Sequence, residues 1–251
     1  MPDEHQHLIE DEFGRAAAGF AERTAGRFDA MDVPAFSRVA PHEVVVEVGA
    51  GTGNFLSLFE GRARHLIALD LTRGMLEQAR QCHPSLSPIV GDGNRLPLKD
   101  RSVDLVASAQ ALHHVIEPVP FVKEMRRVCA DGGRVLIVDQ AATESYEQIA
   151  FMNQLEAIRD PSHAASRPPS AFRTIVMAAG LEIIDERLFT DRSRFSNWMW
   201  PGEFPQERID ATREFVERFG SETGMEFERD GDDWSFTRRR MMLLVEPAGR
   251  A

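Results

Sequence analysis

EVVVEVGAGTGNFLSLF, residues 43–59, puts three glycines into five positions, Gly49, Gly51 and Gly53, directly behind a β-branched apolar run. Glycine gives up more backbone entropy on folding than any other residue, so such a cluster needs a structural return. The usual return is a tight turn from a strand into a helix, along which a ligand can lie against bare backbone. Outward from this turn, strand-like runs recur: HLIALD (65–70), SPIVGD (87–92), VDLVASAQ (103–110) and GRVLIVDQ (133–140). They are short and continuously apolar, as strands covered on both faces of a parallel sheet should be. Amphipathic segments separate them: NFLSLFEG (54–61), TRGMLEQARQCH (72–83) and PVPFVKEMRRVCADGG (118–133), the last ending in a Gly-Gly helix stop. Two further strands, LEIIDERLF (181–189) and WSFTRRRMMLLVE (234–246), bring the count to seven. The alternation predicts an α/β fold: a doubly wound, mostly parallel, seven-stranded Rossmann-like sheet with helical cap insertions.

The 251 residues read as a single domain in three stretches. Residues 1–42 carry helical spacing over 5–30 and predict an N-terminal lid. Residues 43–140 form the ligand-binding core, and 141–251 supply cap insertions and the C-terminal strands. In the first insertion, Tyr146, Ile149, Leu155 and Ile158 share a predicted helical face. In the second, Ile209, Thr212, Val216 and Phe219 do the same before Gly220.

Composition narrows the functions. At 43% hydrophobic and 27% charged residues the chain is an ordinary globular protein. The two cysteines, Cys82 and Cys129, sit in helix-like contexts with no paired spacing, so neither a disulfide framework nor a zinc site is indicated. The acidic N-terminus lacks an apolar core segment, which predicts no signal peptide and a cytoplasmic location. No apolar run is long enough to span a membrane. A net charge of −11 argues against sequence-independent nucleic-acid binding, which needs cations for phosphates. The basic run Arg238–Arg240 breaks the acidic pattern and reads as a solvated strand end.

The glycine pattern also narrows the ligand. A dinucleotide fingerprint is G-x-G-x-x-G, whereas here it is G-x-G-x-G, with Glu47 two residues ahead. No phosphate-binding lysine follows at Thr52-Gly53-Asn54. A missing phosphate cradle and an added carboxylate suit a ligand with positive charge and no phosphate, such as S-adenosylmethionine.

VVEVGAGTGNF resembles the first motif of the class I S-adenosylmethionine-dependent methyltransferases, and further segments continue the resemblance in order. Asp70, 21 residues after Gly49 in ALDLTRGML, matches the acidic residue that takes the ribose hydroxyls, beside Leu71. GDGNRLPLKDRSVDLV resembles the adenine motif, with Asp92 accepting from the exocyclic amine and Gly93 and Asn94 beside the ring. SAQALHHV, with Gln110, resembles the motif after the fourth strand, and RRVCADGGRVLIVD the helix–strand return. RDPSH and the aromatic stretch near the C-terminus resemble the ubiquinone/menaquinone-biosynthesis branch, methyltransferase type 11. The resemblance implies a cofactor site at Glu47, Gly49, Gly51, Gly53, Asp70, Leu71, Met75, Asp92, Gly93, Asn94 and Gln110, with Met75 equally readable as helix core.

Methyl transfer needs nucleophile, methyl carbon and leaving sulfur in line, and a base only if the nucleophile carries a proton. The expected catalytic residues are His114, beside His113, together with Asp160 and His163 in RDPSH. These residues lack metal-ligand spacing, so no metal is expected. Asp-Pro-Ser-His reads equally as a helix stop and capping turn. Phe195, Trp198, Trp200 and Phe204 read as core or as the wall of a pocket for an aromatic or apolar small molecule. The expectation is a small-molecule O-, N- or C-methyltransferase, a monomer or homodimer, in quinone or secondary-metabolite biosynthesis. The alternatives are another reaction using the same cofactor, cyclisation or decarboxylation, or a non-catalytic cofactor-binding scaffold.

Overall fold

The structure is a computed structural model and describes residues 2–199 and 204–249. Five parallel strands build its centre: β1 (Val44–Val48), β2 (His65–Asp70), β3 (Ser87–Val90), β4 (Val103–Ala109) and β5 (Cys129–Gln140). β6 (Leu181–Arg194), β7 (Glu228–Asp230) and β8 (Asp233–Pro247) complete the sheet, and β8 runs antiparallel to its neighbours. The order is β3-β2-β1-β4-β5-β8-β6, with the short β7 paired to β8. Seven strands thus lie along the path as expected, and β7 adds a hairpin at one side. The chain folds outward in both directions from β1 and β4, which leaves a crevice above the carboxyl ends of these strands. Pro88 lies in β3, the edge strand, where a missing N–H is tolerated.

The helices are α1 (Pro2–Thr24), α2 (Val33–Ser37), α3 (Arg73–Cys82), α4 (Pro118–Val128), α5 (Tyr146–Arg159), α6 (Pro169–Ala178), α7 (Phe195–Met199) and α8 (Gln206–Phe219). Side-chain alternation along the strands feeds two cores. Val46, Val106, Ile137 and Leu243 face α4 and α6, while Val45, Leu105, Leu136 and Leu244 face α2 and α3. A third core gathers Leu155, Phe195, Trp198, Val216, Trp234 and Phe236 above the sheet edge. It fastens α5, α7, α8 and the β7–β8 hairpin into one roof.

Several local expectations change. NFLSLFEG forms a single 3₁₀ turn, Leu56–Phe59, because the segment between Gly53 and Gly61 is too short to repay helix nucleation. α4 stops at Val128, so Cys129 begins β5 and is not helical. Gly132-Gly133 serves a bulge between β4 and β5: a Cβ at Gly133 would lie 2.8 Å from the Asp104 carbonyl oxygen. Tyr146, expected on the packed face of α5, is 85% exposed; the residues this helix buries are Met152, Leu155 and Glu156. The N-terminal helix α1 ends at Thr24, and Gly26 follows at φ 70°. Arg238–Arg240 is not a solvated strand end: it lies inside β8, with Arg240 only 2% exposed. Trp200 lies outside the described residues. No described helix is long and apolar enough to cross a membrane, and no metal-binding group of three His, Cys, Asp or Glu occurs among the described residues.

Candidate functional site

A cavity of about 1440 Å³ opens over the carboxyl ends of the parallel strands. Binding pockets for one small ligand are commonly about 300–1,000 Å³, so this one has room for two. Its floor at one end is the glycine turn. Gly49 adopts φ 76°, and a Cβ there would lie 2.6 Å from that of Ala111. Gly51 adopts φ 52° and presents open backbone to the cavity. Gly53 does not line the cavity. It lets β1's turn pack against α3 and the following loop, where a Cβ would come 2.5 Å from Leu86 Cδ1.

Glu47, at the end of β1, is buried, and its Oε2 has no hydrogen-bond partner. Burial, then the charge of Asp70, raises its pKa well above the usual carboxylate value. Asp70 is fixed at the end of β2, where Oδ2 accepts from Gly51 N (2.7 Å) and Oδ1 from Thr72 N (2.8 Å). Asp92 accepts from Asn94 N at 2.8 Å on one oxygen and from Gln6 Nε2 at 2.9 Å on the other. The position expected to meet adenine is therefore held, in this state, by α1. Leu71, Met75, Gly93 and Asn94 also line the cavity, and Met75 is buried at the same time as core. Gln110 sits at φ 53° with its Nε2 buried and unpartnered, again at the cavity wall. An orphaned carboxylate oxygen and an orphaned amide N–H bordering one space, beside bare glycine backbone, are what a cationic, polar nucleoside cofactor would satisfy. The donor set fits S-adenosylmethionine.

Further along the cavity, His113 and His114 follow β4 in a 3₁₀ turn, their ring centroids 4.1 Å apart. His113 Nδ1 donates to Asp139 Oδ1 at 2.6 Å, and Asp139 also accepts from the backbone of His113 (3.2 Å) and Gln140 (2.6 Å). This leaves Nε2 of His113 as the acceptor nitrogen. Burial, and then the neighbouring His114 and His163, push the His113 pKa well below the ordinary value, while burial pushes Asp139 up to about 6. His114 Nδ1 donates to the Ser162 carbonyl at 3.0 Å, and its own carbonyl accepts from His5 Nε2 of α1 at 2.7 Å.

The structure separates the residues of RDPSH. Asp160 lines the cavity and holds Ser162 through N (2.9 Å) and Oγ (2.6 Å). Burial opposes its ionisation, but the charges of His114 and Arg159 and the Ser162 hydrogen bonds prevail and hold its pKa below the carboxylate range. His163 does not line the cavity. Its Nε2 bonds Asn153 Oδ1 at 2.8 Å, behind the His113 ring, because the capping turn directs it into the support layer. Sequence reading missed Asp139, which looked like one more residue of a strand. Its position opposite the double histidine, 26 residues away, was the available signal. It also missed Arg27, Arg238 and Arg240, which all face the cavity, as do Arg159 of RDPSH, Trp198 and Phe204.

The family described as "Methyltransferase domain" matches residues 46–137. The uncharacterized methyltransferase YcgJ of Bacillus subtilis (strain 168) is 28% identical over 169 residues, 65% of this chain and 67% of that protein. The demethylmenaquinone methyltransferase of Renibacterium salmoninarum is 26% identical over 161 residues, 63% of this chain and 65% of that protein. The crystal structure of YcgJ superposes with a TM-score of 0.78 at 22% identity, covering 87% of this chain and 97% of that one. Residues 46–137 include those that line the cofactor end of the cavity and its His113–His114 turn, so this stretch is a methyltransferase domain, set in the Rossmann-like fold of S-adenosylmethionine-dependent methyltransferases.

Proposed function

We propose that this small-molecule methyltransferase acts on an acceptor with an acidic O–H or C–H, and that His113, oriented by Asp139, takes its proton. The observation that carries this reading is the 2.6 Å His113–Asp139 pair, buried on its carboxylate side and open to the cavity on the other. Bound S-adenosylmethionine supplies an electrophilic methyl group on a positively charged sulfur. Glu47 would face the cofactor's ammonium, Asp70 the ribose hydroxyls and Asp92 the adenine amine once Gln6 withdraws. Asp139 fixes the tautomer of His113, so that Nε2 presents a lone pair rather than a proton. The low pKa of His113 keeps it neutral and ready at pH 7. His114, Asp160 and the Ser162 turn position that imidazole, with His163 packed behind it.

Phe13, Phe189 and Trp198 give the acceptor an apolar wall, which supports an aromatic or apolar body. A relative named for demethylmenaquinone fits that character, and quinone-type or secondary-metabolite acceptors are the first to test. The proposal includes a cytoplasmic enzyme, monomeric or homodimeric, and light scattering decides the subunit number. The test of function is release of S-adenosylhomocysteine in the presence of a panel of phenols, quinols and β-dicarbonyl acids. The expected result is turnover that Asp139→Asn reduces about a hundredfold or more without changing cofactor affinity. Turnover unaffected by Asp139→Asn removes His113 as the base.

A further inference from the structure

The wall opposite the cofactor residues is built by β6 and β8, and its charged side chains are unused by the roles assigned so far. β8 pairs with β5 only from Arg240 onward, so residues 233–239 overshoot the carboxyl edge of the parallel strands. Alternation along that overshoot turns Arg238 and Arg240 into the cavity. Arg239 goes to the other face and donates to the Gly224 carbonyl (2.5 Å) and Glu226 (2.6 Å). Asp191 of β6, in register with Arg238, lines the same space. Arg27 follows α1, and Arg159 ends α5 beneath the Trp198 ring, 4.9 Å from its centroid.

Two of these guanidiniums are paired: Arg240 with Asp191 at 2.6 Å, and Arg159 with Glu156 at 3.0 Å. Arg27 and Arg238 have no hydrogen-bonded or ion-paired carboxylate among the described residues, and both are enclosed except toward the cavity. Burial, then repulsion from Arg238, Arg240 and Arg159, draws the Arg27 pKa well down; burial and Arg240 bring Arg238 to about 10. Enclosed charges with no carboxylate in hydrogen-bonding contact, only the more distant Asp191 and Glu156, cost stability, so an oxyanion from outside would relieve both at once. Guanidinium forks bind carboxylates and phosphates through paired N–H donors.

The cofactor's own carboxylate is a poor candidate for this site. Glu47 and Asp70 lie at the ends of β1 and β2 and Asp92 follows β3, while β4 and β5 stand between β1 and β8. That separation is three strand spacings, about 14 Å.

Resting on the methyltransferase reading, we propose that the acceptor is an anion whose carboxylate or phosphate is held between Arg27 and Arg238, with Arg240 steadied beside them by Asp191. The anionic group anchors the molecule at the β8 wall, and its apolar body lies toward His113.

The experiment titrates enzyme saturated with S-adenosylhomocysteine against matched pairs: benzoate and benzamide, hexanoate and hexanamide, phenyl phosphate and phenol. Calorimetry and thermal melting are the readouts. Expected is binding of the anion at least tenfold tighter than its neutral partner in one or more pairs, the preferred pair identifying carboxylate or phosphate. Arg238→Met should abolish that preference, leave S-adenosylhomocysteine affinity within twofold, and raise the melting temperature of the ligand-free protein, because an unpaired charge is gone. Arg238→Lys, which keeps the charge and loses the fork, should retain part of the preference. Anions binding no better than neutral partners in every pair would overturn the proposal. So would a tenfold loss of S-adenosylhomocysteine affinity in Arg238→Met, which would assign the guanidinium to the cofactor. If wild-type enzyme does not bind S-adenosylhomocysteine, the methyltransferase reading fails, and the same pairs on cofactor-free protein still decide the anion site.

Discussion

Glu47 and Asp70 are neighbours on adjacent strands, yet backbone N–H groups satisfy both oxygens of Asp70 while Oε2 of Glu47 is bonded to nothing. An acid whose folded pKa is raised binds its proton more tightly folded than unfolded. It therefore lowers stability above the unfolded pKa, and that cost is relieved as pH falls through the folded pKa. Glu47 and Asp139, the latter near 6, both act in this direction. Glu47→Gln should thus raise the melting temperature of ligand-free protein at pH 7, flatten its rise toward acid pH, and weaken cofactor binding; a lower melting temperature would show that Glu47 is paired. Asp70→Ala removes charge-assisted hydrogen bonds worth about 1.5–3 kcal/mol each, so cofactor affinity should fall at least tenfold by titration calorimetry. His113 has a lowered pKa and stays neutral below the ordinary histidine value. Turnover should therefore hold level from pH 8 to about 6; a loss centred on 6.5 would exclude His113 as the base. Glu47, Asp70 and Asp92 were legible as cavity-lining candidates because each stands at or just after the end of a recognisable strand. Asp139 was not, since its meaning depends on a histidine from another strand end.

At the scale of elements, periodicity located the strands well. β1, β2 and β5 end where their apolar runs end, because a strand covered on both faces must be apolar throughout. Elements decided by tertiary contacts were less legible. β6 runs on to Arg194 through charged residues because β8 pairs with it residue by residue above the sheet edge. The same pairing converts an arginine run from apparent surface into cavity wall. The glycine turn divides its work between ligand and packing. Gly53→Ala should cost about 1–3 kcal/mol for the strained φ alone, before the clash with Leu86. Melting temperature should drop by several degrees with S-adenosylhomocysteine affinity retained at a permissive temperature. Lost affinity at unchanged stability would place Gly53 at the ligand.

Across the whole molecule, one cavity joins the cofactor strands to the β8 wall, and one helix covers both ends. α1 is tied to the cofactor end by Gln6–Asp92 and by Asn54 Nδ2 to the Ala21 carbonyl, at 2.9 and 2.6 Å. His5 reaches the His114 carbonyl, and Glu12 holds Arg208 of α8 by two hydrogen bonds of 2.9 and 3.1 Å. Those ties bind α1 to residues that sequence order places up to 196 positions away, which is why an N-terminal helix was legible but its fastenings were not. Double substitution of Gln6 and Glu12 by alanine should speed dissociation of S-adenosylhomocysteine in stopped-flow measurements and leave the melting temperature within a few degrees. An unchanged rate would show that α1 is no barrier. With α1 laid across a cavity roomy enough for two molecules, loosening that one helix should quicken the departure of spent cofactor and methylated product together.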